Sequence, residues 1–173
     1  MKNIPALGLI IVLAIAPSML LGKGVARQIT IEGPDLAQPI EITEPKILAN
    51  FNVWSGPGTS SSELGSSVNV PSFIIDWSQG PRTQPPLAVQ RYQVTFYSKE
   101  PSERPIYVVY YTAIPGSERR YVYLPGKSDQ WWSLNVGSIV RGVEGKWFSA
   151  WSTWESLARP LIEKARLTKS SSR

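Results

Sequence analysis

The sequence predicts an α+β domain, in which an antiparallel sheet built on a three-strand meander (about 91–124) is covered by a C-terminal helix. Residues 91–97 alternate between polar and apolar side chains, which is typical of a half-buried strand. Residues 106–114, IYVVYYTAI, are apolar on both faces and rich in β-branched and aromatic side chains, as in a central strand covered on both sides. From Ser152 onward, apolar residues recur at helical spacing.

The pairing of the second and third strands depends on the turn at Pro115-Gly116. A two-residue loop places Tyr110 opposite Tyr121 and Thr112 opposite Arg119. Pro-Gly favours a type II turn, whose twist suits a tight hairpin poorly, so a longer loop is an equal alternative. A slip of one residue would exchange the two faces of the strand.

The elements before the sheet are predicted to be short. Residues 27–32 and 39–43 form an N-terminal hairpin in this interpretation, and Thr43 caps a helix that has Pro45 in its first turn. A further strand is expected over 73–77, and 127–151 is expected to hold only loops and short strands. The alternative fold is a small all-β sandwich or barrel with a peripheral helix.

The C-terminal helix carries the clearest local signals. Ser152 and Glu155 match a capping box, and Pro160 is expected to kink or split the helix. Trp154 should be buried because it lies on the apolar stripe. Residues 169–173 are expected to form a disordered tail.

The first 26 residues resemble a secretory signal. Lys2 precedes an apolar stretch over 4–21, and small residues at Gly24 and Ala26 predict cleavage after Ala26. The chain is therefore expected to be exported, periplasmic or secreted, as a single globular domain over 27–168 with a mobile Gly/Ser-rich loop over 55–69. The alternative is a protein anchored to the membrane by an uncleaved segment, residues 4–21.

Composition excludes several kinds of chemistry. The 173 residues include no histidine and no cysteine, which removes the usual triads, zinc sites and disulfides, and no cofactor or metal is predicted. The net charge is +5, and residues 77–173 hold fourteen basic and seven acidic side chains, which favours an anionic surface as a partner. Nucleic acid is not expected as a partner, because no run of basic residues exceeds Arg119-Arg120.

Aromatic residues suggest where a ligand could bind. All seven tyrosines fall within 91–124, and the adjacent pair Trp131-Trp132 follows a turn. Adjacent residues of an extended chain point in opposite directions, so one tryptophan is expected to be buried and the other exposed near the tyrosines. The candidate ligand-binding residues are Trp131, Trp132, Asp129, Tyr110, Tyr121, Tyr123 and Arg119.

Three functions remain compatible with the sequence. The favoured one is an exported, non-catalytic binding or envelope-associated domain that recognises a glycan or an anionic envelope component through aromatic residues. The second is a carboxylate-dependent glycan hydrolase, for which Asp76, Asp129 and Glu144 are the candidate acids. The third is a structural module for protein–protein interaction.

Overall fold

The computed structural model describes residues 26–59, 72–83, 90–98, 104–113 and 120–171. These residues form one open antiparallel sheet and three α-helices, which confirms the predicted α+β class. The strands are β1 (Gln28–Glu32), β2 (Ile40–Ile42), β3 (Gln90–Tyr97), β4 (Pro105–Ala113), β5 (Arg120–Tyr123) and β6 (Trp147–Ser149). The helices are α1 (Pro45–Leu48), α2 (Trp132–Ser138) and α3 (Ser152–Ser171), and a one-turn 3-10 helix spans Trp77–Gln79.

The strands lie in the order β2-β1-β3-β4-β5-β6, and each neighbouring pair is antiparallel. The N-terminal hairpin forms as expected, with Ile29 opposite Ile42. Tyr110 pairs with Tyr123 rather than with Tyr121. This register differs by two residues from the one that a two-residue loop predicts, and a shift of two residues leaves every side chain on its predicted face.

One face of the sheet, called the core face here, packs into the hydrophobic core. Every strand contributes fully or almost fully buried side chains to this face, and they are Ile29, Ile31, Ile42, Tyr92, Val94, Phe96, Tyr107, Val109, Tyr111, Val122 and Phe148. Helix α3 adds Trp154, Ala158 and Ile162, spaced four residues apart, to the same core. The helix is therefore not peripheral, and the alternative of an all-β sandwich or barrel is wrong.

Helix α3 differs in three details from its prediction. It continues through Pro160, whose ring lies on the exposed side while Ala158 and Ile162 are held in the core. It includes residues 169–171, where a disordered tail is predicted, and the Lys169 amine donates hydrogen bonds to the carbonyls of Pro34 and Leu36. Its first intrahelical bond runs from the Glu155 N–H to the Trp151 carbonyl, so Trp151 occupies the cap position predicted for Ser152.

Three other local expectations are corrected. Glu44, rather than Thr43, occupies the cap position of α1, without a side-chain capping bond. Within 73–77, only Ile75 forms a bridge, to Ala150, and the 3-10 helix begins at Trp77. In the segment after β5, the structure has the helix α2, which the sequence pattern did not predict.

A side-chain amide holds α2 against β4. Asn135 is 1% exposed, its Oδ1 accepts the N–H of Val108 at 2.9 Å, and its Nδ2 donates to the carbonyl of Val108 at 2.7 Å. Along the β4–β5 register, the position opposite Val108 falls beyond Tyr123, where β5 has ended. The carboxamide thus supplies the donor and acceptor that a neighbouring strand would have supplied.

A buried arginine fixes the first residues of the loop over 55–69, which the sequence predicts to be mobile. Arg141 is 4% exposed, and its guanidinium donates to the carbonyls of Val53 (2.5 Å), Ser55 (2.9 Å) and Pro57 (3.2 Å) and to the Tyr107 hydroxyl (2.8 Å). Burial lowers the pKa of Arg141, but these acceptors compensate the desolvated cation. Residues 55–57 are thus tied to the core, whereas 60–69 lie outside the described residues.

We predict that Asn135→Leu, which preserves side-chain size, lowers the free energy of unfolding by about 2–5 kcal/mol, because it leaves the N–H and C=O of buried Val108 unpaired. Urea denaturation measures this change. Asn50 is the matched control, since its amide is exposed and donates only to the Lys46 carbonyl, so Asn50→Leu should shift stability by no more than about 0.5 kcal/mol. Equal effects of the two substitutions would contradict the role assigned to Asn135.

Candidate functional site

The face of the sheet opposite the core carries polar and aromatic side chains. We call it the tyrosine face, and within β3 to β6 it consists of Arg91, Gln93, Thr95, Val108, Tyr110, Thr112, Tyr121, Tyr123, Trp147 and Ser149. Four of these residues form a row across the sheet, because Gln93 pairs with Tyr110, Tyr110 with Tyr123, and Tyr123 with Trp147. Because side chains alternate between the two faces of each strand, the strands that bury the core residues also place Tyr110, Tyr123 and Trp147 side by side on the opposite face.

The rings of this row stack on one another. Tyr110 and Tyr123 lie 6.4 Å apart with their planes 26° from parallel, and Tyr123 and Trp147 lie 4.9 Å apart at 37°. The guanidinium of Arg91 lies 5.3 Å from the centre of the Trp147 ring. Because Trp147 is thus covered and only 7% exposed, the half-buried Tyr110 and Tyr123 provide the accessible ring surface.

The turn after β5 brings two more predicted residues to the tyrosine face. The Asp129 carboxylate accepts hydrogen bonds from the Tyr123 hydroxyl (2.8 Å) and the Gly126 N–H (2.7 Å). The indole N–H of Trp131 donates to the side-chain carbonyl of Gln93 at 2.9 Å. Asp129 and Trp131 are therefore held beside the Tyr110–Tyr123 pair, as part of one cluster.

The expectation for Trp131 and Trp132 is wrong in its geometry. Trp131 precedes α2 and Trp132 is its first residue, so the two are not adjacent positions of an extended chain. Both side chains are half-buried, rather than one buried and one exposed. The error follows from the missed helix, since the opposite-face argument holds only for strands.

The other two predicted residues contribute less to an accessible surface. Tyr121 is 4% exposed, and the guanidinium of Arg82 lies 4.6 Å from the centre of its ring. Tyr121 therefore supports the tyrosine face but does not offer a free ring to a ligand. Arg119 lies outside the described residues.

The tyrosine hydroxyls of the site remain protonated at neutral pH. Burial raises the pKa of Tyr110, and the nearby Asp129 charge raises it further. Burial also raises the pKa of Tyr123, which additionally donates its proton to Asp129. Both hydroxyls are therefore neutral hydrogen-bonding groups, and the charged side chains at this surface include Arg82, Arg91 and Asp129.

The three carboxylates proposed as catalytic acids have separate local partners. Both oxygens of Asp76 accept bonds from the 3-10 helix, from Ser78 and Gln79. Asp129 bonds to Tyr123 and Gly126, and Glu144 accepts the Arg141 N–H at 2.6 Å. The hydrogen bonds of each carboxylate hold a local turn in place, which favours a structural role for Asp76, Asp129 and Glu144.

Sequence reasoning missed one acidic residue with an unusual environment. The capping-box pattern predicts a capping role for Glu155, but its Oε1 accepts a hydrogen bond from the Tyr111 hydroxyl at 2.7 Å and its Oε2 accepts one from Arg159 at 3.2 Å. Burial raises the pKa of the Glu155 carboxyl, and these bonds oppose that shift without cancelling it. The i, i+4 spacing of Glu155 and Arg159 suits their ion pair, but it gives no sign of the contact between Glu155 and the sheet.

Two further kinds of site, a metal centre and a membrane-spanning helix, are not found among the described residues. Within the described ranges, no group of three or more acidic side chains is arranged to hold a metal ion. None of the helices in these ranges is long and apolar enough to cross a membrane. Comparisons with protein-family models, curated proteins and solved structures find no match to this chain.

We predict that Trp131→Ala costs about 1–2 kcal/mol of stability, because a half-buried ring and one hydrogen bond are lost. Trp154→Ala should cost about 3–5 kcal/mol, since this ring is fully buried and packs edge-on against Phe51 and Tyr111. Guanidinium denaturation of both variants measures the difference. If the two substitutions cost the same, Trp131 belongs to the core rather than to the site.

Proposed function

We propose that the chain is an exported, non-catalytic binding domain that recognises a glycan or an anionic component of the cell envelope through the tyrosine face. The scaffold in this proposal is the three-strand meander over about 91–124. The observation that supports it most is the half-buried, stacked pair Tyr110 and Tyr123, flanked by the polar groups of Gln93 and Asp129. Six of the seven candidate residues lie within the described ranges, and five of them take part in this face or contact it.

The chemistry of the cluster suits a sugar. Aromatic ring faces bind the apolar C–H surface of a pyranose, while planar polar side chains bind its hydroxyl groups. Here Tyr110 and Tyr123 supply ring surface, and Gln93 and Asp129 supply an amide and a carboxylate beside it. Because Asp129 and Trp131 already hold these groups in position, ligand binding requires little ordering of side chains.

The positive charge of Arg91 extends the proposal to acidic ligands. Its guanidinium lies over Trp147, within the tyrosine face, and its charge favours the ionised form of both Tyr110 and Tyr123. A uronic acid, or another anionic envelope sugar, could place its carboxylate near Arg91 while its ring lies on the tyrosines. The excess of basic residues after position 77 favours the approach of such a ligand.

Export is supported by the signal-like residues 1–26, which lie almost wholly outside the described ranges. Anchoring by an uncleaved segment, residues 4–21, is the alternative. The hydrolase alternative is weakened by the separate, turn-fixing partners of Asp76, Asp129 and Glu144. Amino-terminal sequencing of the protein from the culture medium or periplasm tests export, with Arg27 or a near neighbour as the expected first residue.

We predict that Tyr110→Ala weakens binding of an oligosaccharide about two- to twelvefold, because stacking of one ring contributes roughly 0.5–1.5 kcal/mol. The titration uses tryptophan fluorescence with a neutral β-1,4-linked oligosaccharide and a uronic-acid oligosaccharide. Tyr97→Ala is the matched control: Tyr97 is also a half-buried tyrosine of β3, but it pairs with Gln28, away from Trp131. The control should bind as tightly as the unchanged protein.

Three results would contradict the proposal in different ways. If neither sugar changes the fluorescence, a glycan is not the ligand. If Tyr97→Ala weakens binding as much as Tyr110→Ala, the binding surface is not the one assigned. If the oligosaccharide is shortened during incubation, and Glu→Gln or Asp→Asn substitution stops this, the protein is a hydrolase.

A further inference from the structure

Two exposed arginines lie over one end of the tyrosine face. The guanidinium of Arg91, from β3, lies 5.3 Å from the centre of the Trp147 ring, and that of Arg82 lies 4.6 Å from the centre of the Tyr121 ring. Tyr121 and Trp147 are diagonal neighbours on β5 and β6. Because diagonal neighbours on one face lie about 7–8 Å apart, the two guanidiniums share this end of the face.

The sheet itself holds both arginines in place. The backbone N–H of Arg82 donates to the Trp147 carbonyl at 2.8 Å, which attaches the Arg82 segment to the outer edge of β6. Arg91 lies in β3, and the next residues of its row across the sheet are Thr112 and Tyr121. Thr112 is short and fully buried, so the Arg91 side chain extends above it toward the Trp147 ring. Both guanidiniums are therefore positioned before a ligand binds, which limits the entropy cost of binding.

Ring stacking holds these guanidiniums without a carboxylate partner. Within the described ranges, neither Arg82 nor Arg91 forms an ion pair, and both ion pairs found there involve other arginines. Asp76 lies in the same segment as Arg82, but its carboxylate accepts hydrogen bonds from Ser78 and Gln79. Stacking on a ring covers a face of the planar guanidinium and leaves its N–H edge uncovered. Since both arginines are exposed, these N–H edges are accessible to an anion.

A carboxylate, that of Asp129, lies at the other end of the tyrosine pair. Along β5, Tyr121 and its arginine come two residues before Tyr123, whereas Asp129 belongs to the turn that follows the strand and accepts the Tyr123 hydroxyl at 2.8 Å. Burial raises the pKa of Tyr123, its bond to Asp129 raises it further, and the charge of Arg91 opposes that rise. The two opposite charges thus act on the same tyrosine from separate positions. A ligand that lies along β5 meets an acceptor at one end of the pair and cationic donors at the other.

An acidic sugar matches this distribution of groups. Its ring carries apolar C–H surface for Tyr110 and Tyr123, its hydroxyls donate to Asp129, and its acid group accepts hydrogen bonds from guanidinium. The step from Tyr123 to Tyr121 along β5 is about 7 Å, so the acid belongs to the stacked sugar residue or to the next one in the glycan. A neutral sugar uses the rings alone and leaves both arginines in water.

We propose that the ligand of the tyrosine face is an acidic glycan, whose acid group is bound between Arg82 and Arg91 while its ring lies on Tyr110 and Tyr123. This inference rests on the proposed function and narrows it from sugars in general to acidic ones. Arg82 and Arg91 are then the specificity-determining residues, and the acid group of the bound glycan points toward the Tyr121 end of the face.

The test compares two forms of one oligosaccharide: an oligogalacturonate, and the same chain after its carboxyl groups are reduced to primary alcohols. Both are titrated near neutral pH at constant ionic strength, with tryptophan fluorescence as the signal. The acidic form should bind at least about tenfold more tightly, since charge-assisted hydrogen bonds form only with the carboxylate. Equal affinities would overturn this inference and leave the glycan-binding proposal intact, whereas no binding of either form would overturn both.

Three arginine variants locate the acid group. Arg82→Gln and Arg91→Gln should each weaken binding of the acidic form about tenfold, and change binding of the reduced form by no more than about twofold. Arg104→Gln is the matched control, because Arg104 is also exposed but lies directly before β4, about 20 Å along the strand from Tyr110. Its affinity for the acidic form should stay within about twofold of the unchanged protein. Equal losses in all three variants would indicate attraction by net charge alone and overturn the inference.

NMR of the arginine side chains distinguishes a sugar acid from a free ion. The Nε–H signals of Arg82 and Arg91 should shift with the acidic oligosaccharide and stay unchanged with the reduced form. Sodium phosphate, titrated alone, should bind at least about tenfold more weakly than the acidic oligosaccharide, because it gains nothing from the tyrosine rings. Equally tight phosphate binding would show an ion site that needs no sugar and would overturn the inference. These ligands are compared on the unchanged protein, so the result stands even if an arginine variant is unstable.

Discussion

The alternation of side chains along β3, β4 and β5 is the constraint on which the rest of this structure depends. Successive residues of a strand point to opposite faces, so the adjacent Tyr110 and Tyr111 place their rings in different environments. Tyr92, Tyr107 and Tyr111 are directed into the core, whereas Tyr110 and Tyr123 are half-buried on the other face. The same alternation thus generates both the core and the candidate binding surface.

Buried polar side chains hold the segments outside the strands against the sheet. Asn135 forms hydrogen bonds with the backbone of β4 at a position where β5 has ended. The guanidinium of Arg141 donates hydrogen bonds to the carbonyls of Val53, Ser55 and Pro57. Both residues are almost fully buried; Asn135 pairs two backbone groups, and Arg141 pairs three. Since the chain has no cysteine, these hydrogen-bond networks hold segments together without disulfides.

The sequence predicts strands and helices correctly where the spacing of apolar residues repeats over many positions. The alternation over 91–97, the apolar run over 106–114 and the helical spacing after Ser152 predicted a sheet and a helix that the structure contains. Helix α2 was missed because Ser, Asn, Val and Gly favour helices weakly, and its place is fixed by the tertiary bonds of Asn135. The β4–β5 register could not be decided because it depends on loop length, which Pro115-Gly116 alone does not determine.

The candidate site was predictable only in part. Tyr110, Tyr123, Asp129 and Trp131 do form one cluster, but the sequence cannot show that Trp147 joins it or that Arg82 covers Tyr121. Glu155 was hidden by its match to a capping box, since the same spacing also suits a carboxyl that faces the sheet. A lone arginine such as Arg141, in a glycine-containing segment, has no pattern that signals burial.

The central claim, that the sheet divides its tyrosines between a core and a ligand-binding face, is tested most directly by hydroxyl-radical footprinting with mass spectrometry. We expect oxidation at Tyr110 and Tyr123, protection of Tyr92, Tyr107 and Tyr111, and a loss of oxidation at Tyr110 and Tyr123 when the bound oligosaccharide is present. Equal oxidation of the two groups, or oligosaccharide binding that leaves Tyr110 and Tyr123 as reactive as before, would contradict the account.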